Sequence, residues 1–215
     1  MDKSSFSDNS QMEKIEHAWA LTQFNDVDEL KNIVPSEVDP NAMTYSEDNQ
    51  VHSLLMCAAF HGAVECAKYL IKSGANVNQK NFMGYSALHW AAYSGRTETI
   101  RLLVDNQAKL EIKTQDGKTP LHIAASRGHI QFIKVILELG ADLEAVNSLG
   151  WNALHFAVVA NQRQVAPFLI NAGISYKLMD LNMKTLEQIA EKYERPWFKD
   201  ILSSKEITRK GTRSD

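Results

Sequence analysis

The chain has 215 residues, of which 44% are hydrophobic and 23% are charged, and its formal net charge is −3. No stretch approaches the ~20 apolar residues that a transmembrane helix needs, and the first ten residues are polar and carry acids. We therefore expect neither membrane insertion nor a signal peptide. The two cysteines, Cys57 and Cys66, are predicted to be small buried hydrophobes, which fits a cytoplasmic or nuclear location.

The charge is unevenly distributed along the chain. Residues 1–50 contain eleven acids and three bases, whereas residues 51–215 contain fifteen acids and twenty bases. This asymmetry can orient an encounter with a charged partner. The bases are not concentrated into the stripe that nucleic-acid binding usually requires, so we expect no nucleic-acid partner.

A ten-residue segment recurs along the chain at a fixed spacing. The sequence SALHWAAYSG at 86–95 returns as TPLHIAASRG at 119–128, and again as NALHFAVVAN at 152–161. A weaker copy, SLLMCAAFHG, occupies 53–62, and TLEQIA begins the next period at 185. A constant period of this length predicts stacked supersecondary units in a repeat array.

Each period predicts a turn followed by two helices, as the second strong copy illustrates. Asp116 and Gly117 favour a turn in which the glycine adopts the left-handed conformation. The Thr119 hydroxyl can cap the free amides of a helix that begins at Pro120. Apolar residues then recur at helical spacing, and glycines follow the two helices.

This pattern resembles the ankyrin repeat. The signature T-P-L-H-x-A-A-x-x-G is complete at 119–128, and Ala87 replaces its proline at 86–95. The endings GANVN at 74–78 and GADLE at 140–144 are also similar to that family. The resemblance covers roughly residues 15–202 and implies an all-α repeat solenoid, in which each unit has a β-hairpin finger and two antiparallel helices.

We expect about six repeats, of which the first and last are caps. The predicted domain covers 13–202, with 13–47 as the N-terminal cap repeat, 48–80, 81–113, 114–146 and 147–179 as internal repeats, and 180–202 as the C-terminal cap repeat. Residues 1–12 are predicted to be a disordered tail and residues 203–215 a basic flexible tail. Four extra residues near Thr44 to Glu47 predict an enlarged first finger.

Several residues depart from the repeat pattern. Val51 and Met183 stand where a turn glycine is expected, and Gln107 and Asn161 stand where a glycine ends a helix. Pro167 lies in a predicted second helix, where it should bend the helix unless it is close to the first turn.

The histidines of the signature are not a metal site. His89, His122 and His155 lie one to a repeat, and helices pack ~8–10 Å apart, too far to share an ion that needs ~2 Å bonds. We assign them to structural hydrogen bonds. His52 and His61 fall at groove-facing positions of the family, where we expect ordinary polar surface.

The sequence offers no constellation for catalysis. It contains no phosphate-binding glycine loop, no nucleophile elbow and no convergent carboxylate pair. We expect no enzyme activity, no catalytic residue, no cofactor and no metal.

The resemblance implies that finger tips and the exposed side of each first helix line a concave groove. Hydrophobic and basic residues at these positions are the candidates for partner binding: Phe60, Phe82, Met83, Tyr85, Tyr93, Lys118, Arg127, Leu149, Trp151 and Val159. Aromatic residues dominate interface hot spots because they bury a large area with few rotatable bonds. The alternative is that several of them pack against the neighbouring finger and complete the core.

Other aromatic and basic residues receive different assignments. Trp90 and Phe156 are predicted to be core, and Trp19 and Trp197 to seal the caps. The bases near the groove form a solvated rim, or alternatively frame the aromatics and select an acidic, hydrophobic partner. These bases are Lys80, Lys113, Lys118, Arg127 and Lys184.

The sequence therefore predicts a monomeric, non-enzymatic adaptor that binds a partner protein or peptide in its concave groove. Truncation of Tyr85 or Trp151 should weaken binding while leaving thermal stability nearly unchanged. Two alternatives remain open at this point. One is an assembly chaperone or regulatory subunit of a larger complex, and the other is a substrate-recruiting module of an ankyrin-linked transferase or kinase.

Overall fold

The computed structural model of the chain describes residues 3–45 and 51–203, with side chains from Ser10 onward. Its contacts divide it into two compact units, unit 1 (Met1–Gln115) and unit 2 (Asp116–Asp215). Among the described residues, no helix combines the length and the apolar character that crossing a bilayer would require.

Unit 1 contains three helix pairs and a β-hairpin within its described residues. The strands pair antiparallel, with Thr44 opposite His52. In chain order the elements are α1 (Lys3–Gln23), α2 (Val27–Ile33), β1 (Met43–Tyr45), β2 (Val51–Ser53), α3 (Leu54–His61), α4 (Val64–Lys72), α5 (Ala87–Ser94) and α6 (Thr97–Asp105).

Unit 2 continues the series of helix pairs. Its elements are α7 (Pro120–Arg127), α8 (Ile130–Glu138), α9 (Ala153–Val159), α10 (Val165–Asn171), α11 (Leu186–Lys192) and a last helix, α12, over 197–203. The helices that open the pairs after α2 begin at residues 54, 87, 120, 153 and 186, an even spacing that we call the repeat register. The predicted all-α repeat class is confirmed, while the count of six repeats stays a prediction.

A reciprocal pair of hydrogen bonds fixes where each of these first helices begins. In α3 the Ser53 hydroxyl accepts from the Met56 amide at 3.3 Å. In α7 the amide of Thr119 donates to Nδ1 of His122 at 2.9 Å. This capping box satisfies amides that a helix start leaves without partners. The same box is present at Ser53, Ser86, Thr119, Asn152 and Thr185.

The signature histidines have the structural role that the sequence predicts. Nδ1 of His89 accepts from the Ser86 amide at 3.1 Å. The other ring nitrogen of His122 lies 3.0 Å from the carbonyl oxygen of Ala145, to which it donates. Both imidazoles are fully buried, so these bonds offset the cost of removing the rings from water.

The core is built from small residues at one repeated position and large aliphatic residues around it. The small side chains let neighbouring helices approach closely. The repeated alanines are Ala58, Ala91, Ala124, Ala157 and Ala190, each at most 2% exposed. Leu70, Ile100, Leu103, Ile133, Ile136 and Leu169 fill the space between the helices and are fully buried.

Side-chain acceptors join successive repeats at the ends of the second helices. Oδ1 of Asn41 accepts from the Asn76 amide at 2.7 Å, and Oδ1 of Asn78 accepts from the Lys109 amide at 2.9 Å. In unit 2 a carboxylate has the same role, because Oε1 of Glu144 accepts from the Ser175 amide at 2.6 Å. Each bond satisfies a backbone donor that would otherwise lack a partner.

The fingers differ from the hairpins that the resemblance implies. Among the described residues, only β1 and β2 form a strand pair. The finger at 81–85 is a tight turn, in which the Asn81 amide donates to the Tyr85 carbonyl at 2.9 Å. A turn this short has room for too few paired residues to make a ladder.

Backbone hydrogen bonds link neighbouring fingers inside each unit. In unit 1 the Gln115 amide donates to the Met83 carbonyl at 3.0 Å. In unit 2 the Ser148 amide donates to the Asp116 carbonyl at 3.1 Å, and the Leu181 amide donates to the Leu149 carbonyl at 3.0 Å. The donors take the same place in successive repeats, and their bonds hold the finger tips in a fixed register.

The N-terminal part of the chain contributes to the first helix. Residues 3–12, expected to belong to a disordered tail, lie in α1. The helix is attached to the rest of unit 1 by Gln11, whose amide group donates to the Glu37 carbonyl at 2.9 Å. Of the predicted C-terminal tail, Ser203 lies in α12, and residues 204–215 lie outside the described residues, as does the tip of the first finger at 46–50.

The residues that replace glycine are accommodated in two ways. Gln107, Asn161 and Met183 adopt the left-handed conformation themselves, with φ of 67°, 62° and 59°. Val51 instead lies in extended strand β2, paired with Tyr45.

Pro167 is accommodated by a later helix start. The second helices α4, α6 and α8 begin at 64, 97 and 130, but α10 begins at 165, which is late in the repeat register. The proline is then the third residue of α10, where the helix does not use its missing N–H. A helix beginning at 163 would bring its ring against the carbonyl four residues earlier.

We predict that Gly117→Ala destabilises the protein more than Gly140→Ala. Both glycines have positive φ, of 76° and 96°, so each substitution costs about 1 kcal/mol of backbone strain. A Cβ at Gly117 would also lie 2.8 Å from the Ser148 nitrogen, whereas nothing lies within 4 Å of one at Gly140. The expected total loss for Gly117→Ala is at least about 2 kcal/mol. Urea unfolding followed by circular dichroism measures both, and equal losses would contradict the close approach of the fingers.

Candidate functional site

Asparagine side chains fix the finger tips on which several candidate residues lie. Oδ1 of Asn81 accepts from the amides of Met83 at 3.1 Å and Tyr85 at 2.9 Å. In unit 2, Oδ1 of Asn147 accepts in the same way from the amides of Leu149 at 3.0 Å and Trp151 at 2.9 Å. An Asx turn of this kind orders the backbone locally, so the tips keep one conformation without a partner.

The tips present apolar side chains to solvent. Phe82 is 79% exposed and Met83 49% in unit 1, and Leu149 is 47% exposed in unit 2. All three were predicted as partner-binding residues from the sequence. Exposed aromatic and aliphatic side chains on a fixed backbone are suited to contact with another macromolecule.

Sequence reasoning missed three further apolar residues on the fingers. Tyr45 is 62% exposed at the end of β1, and Leu181 and Met183 are 73% and 75% exposed in the last finger of unit 2. The repeat register was a usable signal for Leu181, because this residue takes the same place in its repeat as Phe82.

The other candidates of unit 1 meet in one aromatic cluster, formed by Phe60, Tyr85, Trp90 and Tyr93. The Trp90 ring centroid lies 5.5 Å from those of Tyr85 and Tyr93 and 5.8 Å from that of Phe60. All four side chains are half-buried, so one part of each packs inside unit 1 and the other part faces solvent. Ring pairs at these distances stabilise the cluster beyond the area they bury.

Two aromatic residues of unit 1 lie elsewhere than the sequence predicts. Trp90, assigned to the core, is half-buried at the centre of the aromatic cluster. His52, assigned to polar surface, is only 5% exposed. Strand pairing turns its ring inward, where it lies 6.0 Å from Trp19 and 4.6 Å from Trp90 between ring centroids.

In unit 2 the candidate residues surround Trp151. Its indole stacks on the His155 imidazole, with 5.9 Å between centroids and 18° between planes. Its Nε1–H donates to Oδ2 of Asp180 at 3.4 Å, and the Phe156 ring lies 5.7 Å away. Phe156, predicted as core, is half-buried, as is Val159 one turn later on α9.

Tyr85 and Trp151 therefore contribute to stability as well as to the surface. Each is half-buried and packs on rings of its own unit. The sequence-based expectation that either can be truncated without loss of stability conflicts with these contacts, because removing a packed ring leaves a cavity.

The basic candidates are held close to this surface. Nζ of Lys118 lies 3.1 Å from Oδ2 of Asp116 and 5.9 Å from the Phe156 ring centroid. Arg127 is exposed at the end of α7. Lys80, assigned to a solvated rim, donates from Nζ to the Lys113 carbonyl at 2.7 Å and so bridges two fingers of unit 1.

Comparison with known families decides what these repeats are. The family model for ankyrin repeats (3 copies) matches residues 18–115 and 106–180, which together span about three quarters of the chain. The chain belongs to the ankyrin-repeat family. Membership places it among protein–protein interaction modules in general. No curated protein matched the chain.

The cap tryptophans of this ankyrin domain contact the adjacent repeats, in agreement with their predicted role. Trp19 stacks on His52, with 6.0 Å between ring centroids. Trp197, on α12, donates from Nε1 to Oδ1 of Asn161 at 2.9 Å.

The two cysteines lie in the ankyrin core. Both are unpaired and fully buried. Burial raises the pKa of the Cys66 thiol to about 11 and also raises that of Cys57. Both thiols are therefore protonated and unreactive at neutral pH. Within the part of the chain that is described, no three potential metal ligands cluster together.

His155 differs from the other signature histidines. Its Nδ1 lies 2.7 Å from Oδ1 of Asn152 and accepts from the backbone amide of Asn152 at 3.3 Å, as in the other capping boxes. Its Nε2 is buried without a hydrogen-bond partner. Burial lowers the pKa of His155 to about 4, although the Asp180 carboxylate partly opposes the shift.

We predict that acid destabilises this protein partly through His155. Because its folded pKa is about 4 and its unfolded value near 6.5, its contribution is complete above pH 6.5 and is lost as the pH falls towards 4. The shift corresponds to about 3 kcal/mol. Urea unfolding at pH 7.5, 5.5 and 4.5 should show a smaller pH dependence for His155→Gln than for the wild type. Identical dependences would show that His155 does not carry this effect.

Proposed function

We propose that this ankyrin-repeat protein is a non-enzymatic interaction module that binds a partner protein or peptide. The partner contacts the finger tips and the adjoining face of the first helices, and the protein acts as a monomer. Buried, unpaired thiols favour a reducing compartment, and we place the protein in the cytoplasm or nucleus.

The observation that carries this proposal is an exposed aromatic ring on a fixed backbone. The Phe82 side chain is 79% exposed. Its carbonyl oxygen nevertheless accepts a hydrogen bond from the Gln115 side chain, and the carbonyl of the next residue accepts from the Gln115 amide at 3.0 Å. The Phe82 ring is thus a large apolar group that is exposed to water and contributes little to the packing of the fold.

Preorganisation explains how such a surface can bind tightly. Finger and helix backbones are held by hydrogen bonds inside each unit, so docking need not order them. Binding then loses less conformational entropy than it would for flexible loops. Aromatic side chains lose few rotatable bonds when they are buried, which adds to this advantage.

We predict that Phe82→Ala weakens partner binding by about 2 kcal/mol, because it removes an aromatic anchor from the contact surface. The matched control is Phe24→Ala. Phe24 is also 79% exposed but lies in the connection between α1 and α2 and not in a finger. Immobilised full-length protein and both variants are incubated with native lysate, and captured proteins are quantified by mass spectrometry.

Partners lost with Phe82→Ala and retained with Phe24→Ala would support the finger surface. Melting temperatures close to the wild-type value in both variants would show that the fold is intact. Equal capture by the wild type and Phe82→Ala would argue against the proposed site.

A further inference from the structure

Unit 2 carries a row of three residues in which a tryptophan lies between two lysines. Lys118, Trp151 and Lys184 are evenly spaced along the chain, so they take the same place in three successive fingers. The finger that ends at Trp151 closes with a 3.0 Å bond from the Asn147 amide to the Trp151 carbonyl. The finger that ends at Lys184 closes in the same way, through the Asp180 amide at 3.0 Å.

From Asp116 onward, the residues of these three fingers are neighbours within unit 2. The first is joined to the second by the bond between Ser148 and Asp116, and the second to the third by the bond between Leu181 and Leu149. Helices pack ~8–10 Å apart, so equivalent positions in neighbouring repeats are separated by about that distance. The backbones of Lys118 and Lys184 therefore flank that of Trp151 at similar distances.

Two acids lie near the two lysines of this row, and of these only Asp116 is exposed. Asp116 forms an ion pair with Lys118 at 3.1 Å and opposes one of the two lysines. Asp180 is 6% exposed, and its carboxylate accepts from the amides of Asn182 at 2.8 Å and Lys184 at 2.9 Å and from the Trp151 indole. This carboxylate is hydrogen-bonded inside the unit and hardly accessible to a partner, whereas the Lys184 side chain is exposed.

The corresponding surface of unit 1 has a different character. The residues equivalent to Lys118, Trp151 and Lys184 are His52, which is buried, and Tyr85. Tyr85 belongs to the aromatic cluster, which consists of uncharged side chains. Positive charge beside an aromatic anchor is thus a property of unit 2.

We propose that unit 2 binds an acidic segment of a partner protein, with an apolar anchor between its carboxylates. The anchor packs on Trp151 and Phe156, and the carboxylates pair with Lys118 and Lys184. An extended chain rises ~3.3 Å per residue, so the acids lie about three residues before and after the anchor. This inference rests on the proposed function and adds the chemistry of the ligand.

A random peptide library tests the inference even though the natural partner is unidentified. Displayed peptides of about twelve residues are long enough to span the row. They are selected on the full-length protein, and selected sequences are compared with the unselected library. We expect enrichment of Asp and Glu on both sides of an aromatic or large aliphatic residue. Affinity measured by fluorescence anisotropy should fall as NaCl is raised.

Charge reversal supplies the decisive comparison. Lys118→Glu/Lys184→Glu should raise the Kd of the selected peptides at least about tenfold, because it places like charges opposite the carboxylates. Lys134→Glu/Lys177→Glu changes the net charge equally, at exposed positions on α8 and after α10. It should leave the Kd within about twofold. Lys118→Gln/Lys184→Gln is a milder pair that removes charge without adding repulsion.

The possible outcomes separate this inference from the proposed function. Peptides that bind the finger surface without acidic enrichment, or that bind both reversed variants equally, would overturn the acidic partner and leave the proposed function standing. Failure to select any peptide would overturn the inference and count against peptide binding itself. A single-stranded oligonucleotide that binds as tightly as the selected peptides, and is lost with the same variant, would overturn it in favour of a nucleic-acid ligand.

Discussion

The fold depends on hydrogen bonds that fix the backbone where each repeat begins. At Thr119 the cap amide donates to Nδ1 of His122, whose ring lies fully buried and reaches the Ala145 carbonyl with its other nitrogen. One side chain thus sets a helix start and ties that helix to the loop that leads into the next repeat. Equivalent capping boxes recur at the same place in each period. The cap residue that joins each finger to its helix therefore has the same extended backbone in each of these repeats.

Most of the architecture could be predicted because it depends on local and periodic signals. The first helices begin in a strict register, and His89 and His122 make structural bonds as expected. Structural features that do not follow from the repeat register were harder to predict. The delayed start of α10 results from one steric clash of Pro167, and the inward ring of His52 results from strand pairing.

The candidate site was predictable in position but not in degree of burial. Sequence spacing identified Phe82, Met83 and Leu149, and the structure shows these side chains exposed. Spacing could not distinguish the two roles of Trp151, because its stacking on His155 and its bond to Asp180 depend on the three-dimensional approach of neighbouring fingers. Leu181 and Met183 lie in the last finger, and the sequence assigns that repeat to a cap, for which no exposed apolar contact residues were expected.

The finger turns fix the backbone of this surface without fixing which side chains it presents. Asn81 holds the backbone of residues 83 and 85 through their amides, which every amino acid except proline possesses. A mutation at such a tip therefore changes what the surface attracts while the turn beneath it persists. The exposed residues at the tips can therefore vary in chemical character while the asparagine and the glycine keep the turn.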